Sequence, residues 1–169
     1  MIAWIRLDDS GIHYPVMYRK GDSEWYKTHD WQDEYSQAGS IYLDGFNDKK
    51  LDDKISVIAG SEKFSDRMFS DLVKWQDEKF FKEHRGGRVF IPAEEFVLEV
   101  VAALDLPQTS ELLNAEKASH MGADEVMAQI KNKAKQYEEH SHEGKNIFIL
   151  KTFNRETAHV VVVLGKKLY

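Results

Sequence analysis

The chain of 169 residues contains no cysteine, which excludes disulfide bonds, thiolate metal ligands and cysteine nucleophiles. It has only three prolines, and no proline-, glycine- or serine-rich linker divides it, so we expect one domain spanning residues 1–169. No apolar run approaches the roughly 20 residues of a membrane helix, and no signal peptide is evident. Because a strand-like segment begins at residue 2, we expect that a native N-terminal membrane anchor is missing from this sequence.

The charge balance is acidic, with 29 Asp and Glu against 23 Lys and Arg and a formal net charge of -6. Basic residues are scattered and mostly lie near acidic ones, which predicts no general affinity for nucleic acid. Hydrophobic residues make up 42% and charged residues 31%, a composition typical of a globular protein and not of a disordered chain.

Short runs of β-branched and aromatic residues, separated by turn signals, predict eight strands. Eight such strands favour a mostly antiparallel β-barrel or sandwich. The predicted strands cover residues 2–7, 13–18, 40–43, 55–59, 88–91, 96–103, 147–152 and 159–164.

Helical patterns interrupt the predicted strands. Residues 67–75 and 77–84 place apolar side chains at helical spacing, and residues 22–29 allow one or two helical turns. The clearest pattern is a long helix over residues 125–139, with Asp124 as its cap and an apolar stripe along one side. This helix would lie between strands 6 and 7, and we expect those two strands to be neighbours in the barrel.

Several stretches resemble class B sortases. The opening "AWIRLDDSGIHYPVMY" (3–18) and the segment "WYKTHDW" (25–31) are similar to that family's first strands and its aromatic segment. "AGSIYLDGFND" (38–48) resembles the third strand and its turn, and "MFSDLVKWQDEKFFKEH" (68–84) resembles a family helix and the segment after it. The resemblance covers nearly the whole chain and implies a sortase-like, eight-stranded β-barrel with helices inserted in its loops.

The family's activity is that of a cysteine transpeptidase, and the resemblance implies where its catalytic groups would lie. A Cys thiolate attacks the scissile carbonyl, a His acts as general acid and base, and an Arg stabilises the oxyanion. Here Ser61 stands at the His position, Phe153 at the Cys position and His159 at the Arg position. Arg155 lies four residues before His159, which makes the last alignment the least constrained.

With all three groups replaced, the resemblance implies a pseudo-sortase that retains the shape of the family without its catalytic residues. Expected partners are a sorting-signal peptide, a pilin or an active sortase, on the outer face of the membrane or in the cell wall of a Gram-positive bacterium. The alternative is a cysteine-independent or displaced-site peptidase or transpeptidase. Neither reading calls for a cofactor or a metal ion.

Other residues could carry chemistry. Ser61 and His159 are the residue types of a nucleophile and its base, although no carboxylate that would orient the His is evident beyond the adjacent Glu62. Thr152 is a possible nucleophile, but in a strand its side chain points away from the face of residue 153, which favours a structural role. A possible metal-binding cluster is better interpreted as a polar loop, since a short motif needs structural context; it comprises His140, His142 and Glu143.

Overall fold

The computed structural model describes residues 1–168 as a closed β-barrel with helices in its loops. Every strand predicted from the sequence is confirmed, with boundaries that shift mainly because the later strands extend further. The nine observed strands are β1 (Ala3–Leu7), β2 (His13–Met17), β3 (Ile41–Leu43), β4 (Ile55–Gly60), β5 (Gly86–Ile91), β6 (Glu94–Pro107), β7 (Gln136–Tyr137), β8 (Asn146–Thr152) and β9 (Thr157–Leu168).

The strands follow the order β5-β1-β2-β3-β4-β8-β9-β6, and a further pairing of β5 with β6 closes this set into an eight-stranded barrel. Most neighbours are antiparallel, but β2 pairs with β3 and β4 pairs with β8 in parallel. Parallel neighbours bring the C-terminal ends of both strands to the same rim. The residues that follow β4 and β8 therefore leave the barrel side by side.

The expected adjacency of strands 6 and 7, which are β6 and β8 here, is wrong. The last strand, β9, lies between them and pairs antiparallel with both. The Val-rich run of β9 is buried on both faces, as expected for a strand with partners on either side. The connection from β6 to β8 thus crosses a gap as wide as one strand, and β9 occupies that gap.

The long helix predicted over residues 125–139 is also wrong in its extent. The helix here is α3 (Ala123–Lys133), and the chain then extends so that Gln136 and Tyr137 pair with Ala103 and Ala102 of β6. The 14-residue β6 outruns the six-residue β5, which leaves backbone groups that this short strand β7 satisfies. Asp124 does not cap the helix, since Gly122 is the N-cap residue.

Shorter helical segments occupy the other predicted positions. Trp25–Lys27 and Ser70–Gln76 form 3₁₀ turns, and α1 (Glu78–Glu83) begins after Asp77, whose carboxylate accepts a hydrogen bond from the Phe80 amide. Two segments between β6 and α3 have no counterpart in the sequence prediction, a 3₁₀ turn at Glu111–Leu113 and the helix α2 (Ala115–Met121). No helix within residues 1–168 is long and apolar enough to cross a membrane.

Two apolar layers hold the fold together. Alternate residues of the strands fill the barrel, where Phe96 and Phe148 meet edge to face with ring centroids 5.3 Å apart. The opposite faces of β4, β6, β8 and β9 pack under α2 and α3. Burial on both faces makes these central strands rigid supports for whatever follows them at the rim.

Candidate functional site

The three positions singled out by the resemblance lie at one rim of the barrel, at the ends of β4, β8 and β9, which are neighbours in the sheet. Ser61 directly follows β4 and Phe153 directly follows β8, whose last residues Gly60 and Thr152 are paired. His159 is near the start of β9, and its backbone amide donates a hydrogen bond to Thr152 Oγ1 at 3.0 Å. Residues 61, 153 and 159, far apart in sequence, therefore meet at one end of the sheet.

The Phe153 ring lies against the outer surface of the barrel and not in its interior. Its centroid is 5.9 Å from that of Tyr42, and the Lys27 ammonium lies 5.7 Å from the Phe153 centroid. These contacts place an apolar ring where the resemblance would put a thiolate. Phenylalanine offers no nucleophile and no transferable proton.

Ser61 is 2% exposed and is engaged within its own loop. Its Oγ accepts a hydrogen bond from the Lys63 amide at 3.0 Å, and its carbonyl accepts one from the Phe69 amide. The next residue, Glu62, is held by a 2.7 Å hydrogen bond from its amide to Asn154 Oδ1. Ser61 is thus a structural residue of the loop that ties the end of β4 to the end of β8.

His159 lies between two carboxylates. Its Nδ1 is 2.7 Å from Asp105 Oδ1, and its Nε2 is 3.5 Å from Glu62 Oε2. Neither ring nitrogen faces Ser61, so the Ser61–His159 dyad considered from the sequence does not form. The carboxylate that orients His159 was not evident from the sequence; it is Asp105, its cross-strand partner on β6.

Glu62 is the acidic centre of this rim. Its side chain is only 7% exposed, and the guanidinium Nε of Arg155 lies 3.6 Å from its Oε1. Arg155 itself is 71% exposed. A guanidinium therefore reaches the rim from the β8–β9 connection, but it faces a carboxylate and not an open oxyanion position.

Asp105 is stabilised in its ionised form by three donors. Burial alone would raise the pKa of this carboxyl, but hydrogen bonds from Lys135, His159 and Gln76 outweigh that effect and lower the pKa. The Lys135 ammonium and the Gln76 amide lie 2.7 and 2.5 Å from its oxygens. The carboxylate thereby links β6, β9 and the 3₁₀ turn before α1.

We expect Asp105→Asn to destabilise the protein at neutral pH by about 1–2 kcal/mol, the scale of charge-assisted hydrogen bonds in a partly exposed setting. Since folding depresses this pKa, the stabilisation is complete above the ordinary pKa of an Asp side chain. It is lost as the pH falls through the lower, folded-state value. Urea unfolding of the wild type and of Asp105→Asn, from pH 7 down to pH 2.5, measures the difference in their free energies of unfolding. This difference should become smaller only at the acidic end of the range.

The exposed Glu83→Gln change in α1 is the matched control and should leave the unfolding free energy nearly constant throughout. If the free energies of unfolding of the wild type and Asp105→Asn differed by the same amount at every pH, the stabilising role of the ionised carboxylate would be contradicted.

A groove of about 610 Å³ opens on the outer face of β3, β4 and β8 next to Phe153. Val57 and Ala59 of β4 and Lys151 of β8 line it. Tyr42, which contacts the Phe153 ring, lines it as well; burial raises the pKa of this tyrosine far above its ordinary value, so the phenol stays neutral. Strand residues thus form the floor of the groove, and its walls come from the loops around residues 20–27, 44–46 and 108–116.

The remaining candidates are separated by the fold. Thr152 is fully buried, and its hydroxyl accepts the His159 amide, which is a structural role. His140 lies beside Glu138 and Glu99, whereas His142 lies 2.8 Å from Asp124. Within residues 1–168, no group of three or more His, Asp or Glu side chains is placed to hold a metal ion.

Two residues of this region were missed by sequence reasoning. Asp105 is a lone acid in the apolar run of β6, and Lys151 is a lone cation in the apolar run of β8. A single charge within an apolar stretch, residues 100–107 in β6 and 147–152 in β8, is a signal that was available in the sequence. Its partner was not, because cross-strand register is set by the assembled sheet.

Comparison with known proteins agrees with this architecture. No family model matches the chain. Sortase B of Listeria monocytogenes is 34% identical over 84 residues, a segment that covers 50% of this chain and 34% of that protein. The chain thus matches only about a third of the length of this relative.

Solved structures match over the whole fold. A Bacillus anthracis protein described as similar to sortase B has a TM-score of 0.85 at 26% identity, covering 100% of this chain and 78% of that one. A Staphylococcus aureus sortase B–substrate complex has a TM-score of 0.87 at 19% identity, covering 99% and 80%. Together with the barrel topology and the local sequence identity, these matches identify the chain as a class B sortase-like protein.

Proposed function

We propose that this protein is a catalytically inactive member of the sortase-like proteins that binds a sorting-signal-like peptide in its groove. It would act as a binding or accessory factor in the assembly of cell-surface proteins or pili. The observation that carries the proposal is the Phe153 ring at the end of β8, next to an otherwise open groove.

The contacts of all three positions support the proposed inactivity. Phe153 cannot form an acyl intermediate, because it has no nucleophilic atom. Ser61 is buried and hydrogen-bonded within its loop. The His159 ring is held between Asp105 and Glu62, so that the rim presents negative charge where an oxyanion would need donors.

The binding role is supported by what the fold retains. The groove on β3, β4 and β8 is large enough for several residues of an extended peptide, and sites of this volume are typical of specific ligands. The Staphylococcus aureus neighbour is a complex with its substrate, so a barrel of this shape can hold one. A sorting-signal peptide, carried by a pilin or another surface protein, is therefore the ligand we propose.

The same proposal includes a cellular location for the protein. It would work on the outer face of the membrane or in the cell wall of a Gram-positive bacterium, as one sortase-like domain. An active sortase is a further proposed partner, which would receive the captured peptide.

The direct test is mass spectrometry of sorting-signal peptides incubated with the protein and an amine acceptor, with parallel calorimetry of peptide binding. We expect at least one peptide to bind, and no peptide to be cleaved or transferred. An active class B sortase serves as the positive control for the same peptides. Failure of every peptide to bind would contradict the proposed function.

A second candidate is a displaced-site enzyme, which the 2.7 Å contact between His159 and Asp105 favours because it orients the imidazole as a base would be oriented. Such an enzyme would cleave peptide in the wild type and lose that activity in His159→Ala or Ser61→Ala. Cleavage with this dependence would replace the binding proposal by the enzymatic one.

A further inference from the structure

Lys151 occupies an unusual place for a lysine, near the C-terminal end of the apolar strand β8, on the face that forms the groove. Its neighbours along the strand, Leu150 and Thr152, are fully buried, and Lys151 itself is half-buried. Side chains alternate along a strand, so Lys151 projects to the same side as Phe153. The Lys151 side chain therefore lines the groove, on the side of β8 that continues to Phe153.

The partners of this ammonium group are few. Lys151 Nζ donates to Gln108 Oε1 at 3.1 Å, and Gln108 is itself fixed by a 2.8 Å hydrogen bond from its Nε2 to the Thr152 carbonyl. No carboxylate of residues 1–168 forms an ion pair with Lys151. An ammonium carries three N–H donors, so two of them are left for solvent or a ligand.

The charges that line the groove balance overall, so any preference for an anion is local to the Lys151 ammonium; the charged lining residues are Lys20, Lys27, Lys151, Glu24, Asp44 and Glu116. Burial, and then the positive charge of Lys27, lower the pKa of Lys151, while the negative charges of Asp44 and Glu24 offset part of that shift. Glu24 is already paired with Lys27 at 2.9 Å, which reduces its effect on Lys151. A ligand carboxylate at the ammonium would relieve the cost of its burial.

We propose that Lys151 forms a carboxylate-binding subsite at the groove floor, so that the peptide taken by this protein carries an acidic side chain or its own C-terminal carboxylate there. This inference rests on the proposed function for the peptide nature of the ligand. Val57, Ala59 and Tyr42 line the same groove, so a peptide bound at the ammonium would also meet apolar surface.

The subsite is tested with small probes that separate the two carboxylate sources. One pair is N-acetylglycine and N-acetylglycinamide, which mimic a C-terminus and its amide. The other is the N-acetyl, N-methylamide derivative of glutamate and that of glutamine, which mimic side chains. Binding is followed by ¹H–¹⁵N chemical shifts of Val57, Ala59 and Lys151.

We expect the carboxylate of at least one pair to bind about tenfold more tightly than its amide, the scale of one charge-assisted hydrogen bond. The preference should weaken at high salt. Lys151→Met should abolish it and Lys151→Arg should largely retain it. Lys79→Met, on the exposed face of α1, is the matched control and should behave as the wild type does.

The possible results separate this inference from the proposed function. Equal binding of acid and amide, or an acid preference that survives in Lys151→Met, would overturn the subsite even if sorting-signal peptides bind. Acid-selective binding that depends on Lys151, with no sorting-signal peptide bound, would support the subsite and refute the proposed ligand. Spectra of Lys151→Met that match the wild type away from the groove establish that the variant is folded.

Discussion

Phe153→Cys is expected to produce a protein whose new thiol can be alkylated but which neither cleaves nor transfers a sorting-type peptide. The change supplies the nucleophilic atom at the end of β8 and removes the ring that packs on Tyr42. It supplies neither of the other two catalytic groups.

The two groups that Phe153→Cys still lacks, a general acid–base and an oxyanion donor, would each contribute a large rate enhancement. General acid–base help contributes about 10²–10⁴-fold and an oxyanion donor about 10²–10³-fold. Ser61 cannot transfer a proton as an imidazole does, and Glu62, 7% exposed, places a negative charge beside His159.

Mass spectrometry after alkylation establishes that the thiol is present, and the peptide assay then measures turnover. Turnover by Phe153→Cys alone would show that another group of this rim acts as the base, with Asp105-bound His159 the first to examine. The triple variant Phe153→Cys, Ser61→His, His159→Arg is the matched comparison. We expect it to recover a trace of activity, since it restores all three groups on an intact barrel.

Phe148→Ala is expected to lower the free energy of unfolding by about 3–5 kcal/mol, as for a large buried aromatic residue. Phe148 is fully buried and packs edge to face on Phe96 across the barrel. Its ring also fills the space above Gly165, where an added Cβ would come within 2.5 Å of Phe148 Cε2. The loss is a large share of the roughly 5–15 kcal/mol that stabilises a typical domain.

Urea unfolding followed by circular dichroism measures the effect. Phe90→Ala provides the matched control, because Phe90 is 37% exposed on β5. This substitution should lower the free energy of unfolding by about 1 kcal/mol or less. Comparable losses in the two variants would contradict the assignment of Phe148 to the barrel interior.

The sequence was sufficient to predict the strands and the rim but not the pairing between them. Runs such as 147–152 and 159–164 are rich in β-branched and apolar residues, so their local preference and their burial agree. Nothing in those runs specifies that β9 lies between β6 and β8. That order depends on contacts between distant segments, which a single sequence does not display.

The helix after β6 shows how tertiary demands override a local pattern. The apolar stripe that continues through Ala134 and Tyr137 is compatible with a helix, yet these residues also pack against the outer layer from an extended segment. The unpaired backbone of β6 decides between the two, because the Lys135 and Glu138 amides donate to Ala103 and Val101 carbonyls. Propensity is a weak guide wherever a free strand edge is near.

The parallel pairing of β4 and β8 has a consequence for the order of folding. The 2.7 Å bond between the Glu62 amide and Asn154 joins residues 92 positions apart, so it forms only after a long loop has closed. Contacts of such separation slow folding, and we expect the groove floor to be among the last parts of the molecule to assemble. A ligand of this groove would then bind only the fully folded barrel. The amount of ligand bound would therefore report the fraction of the protein that has completed folding.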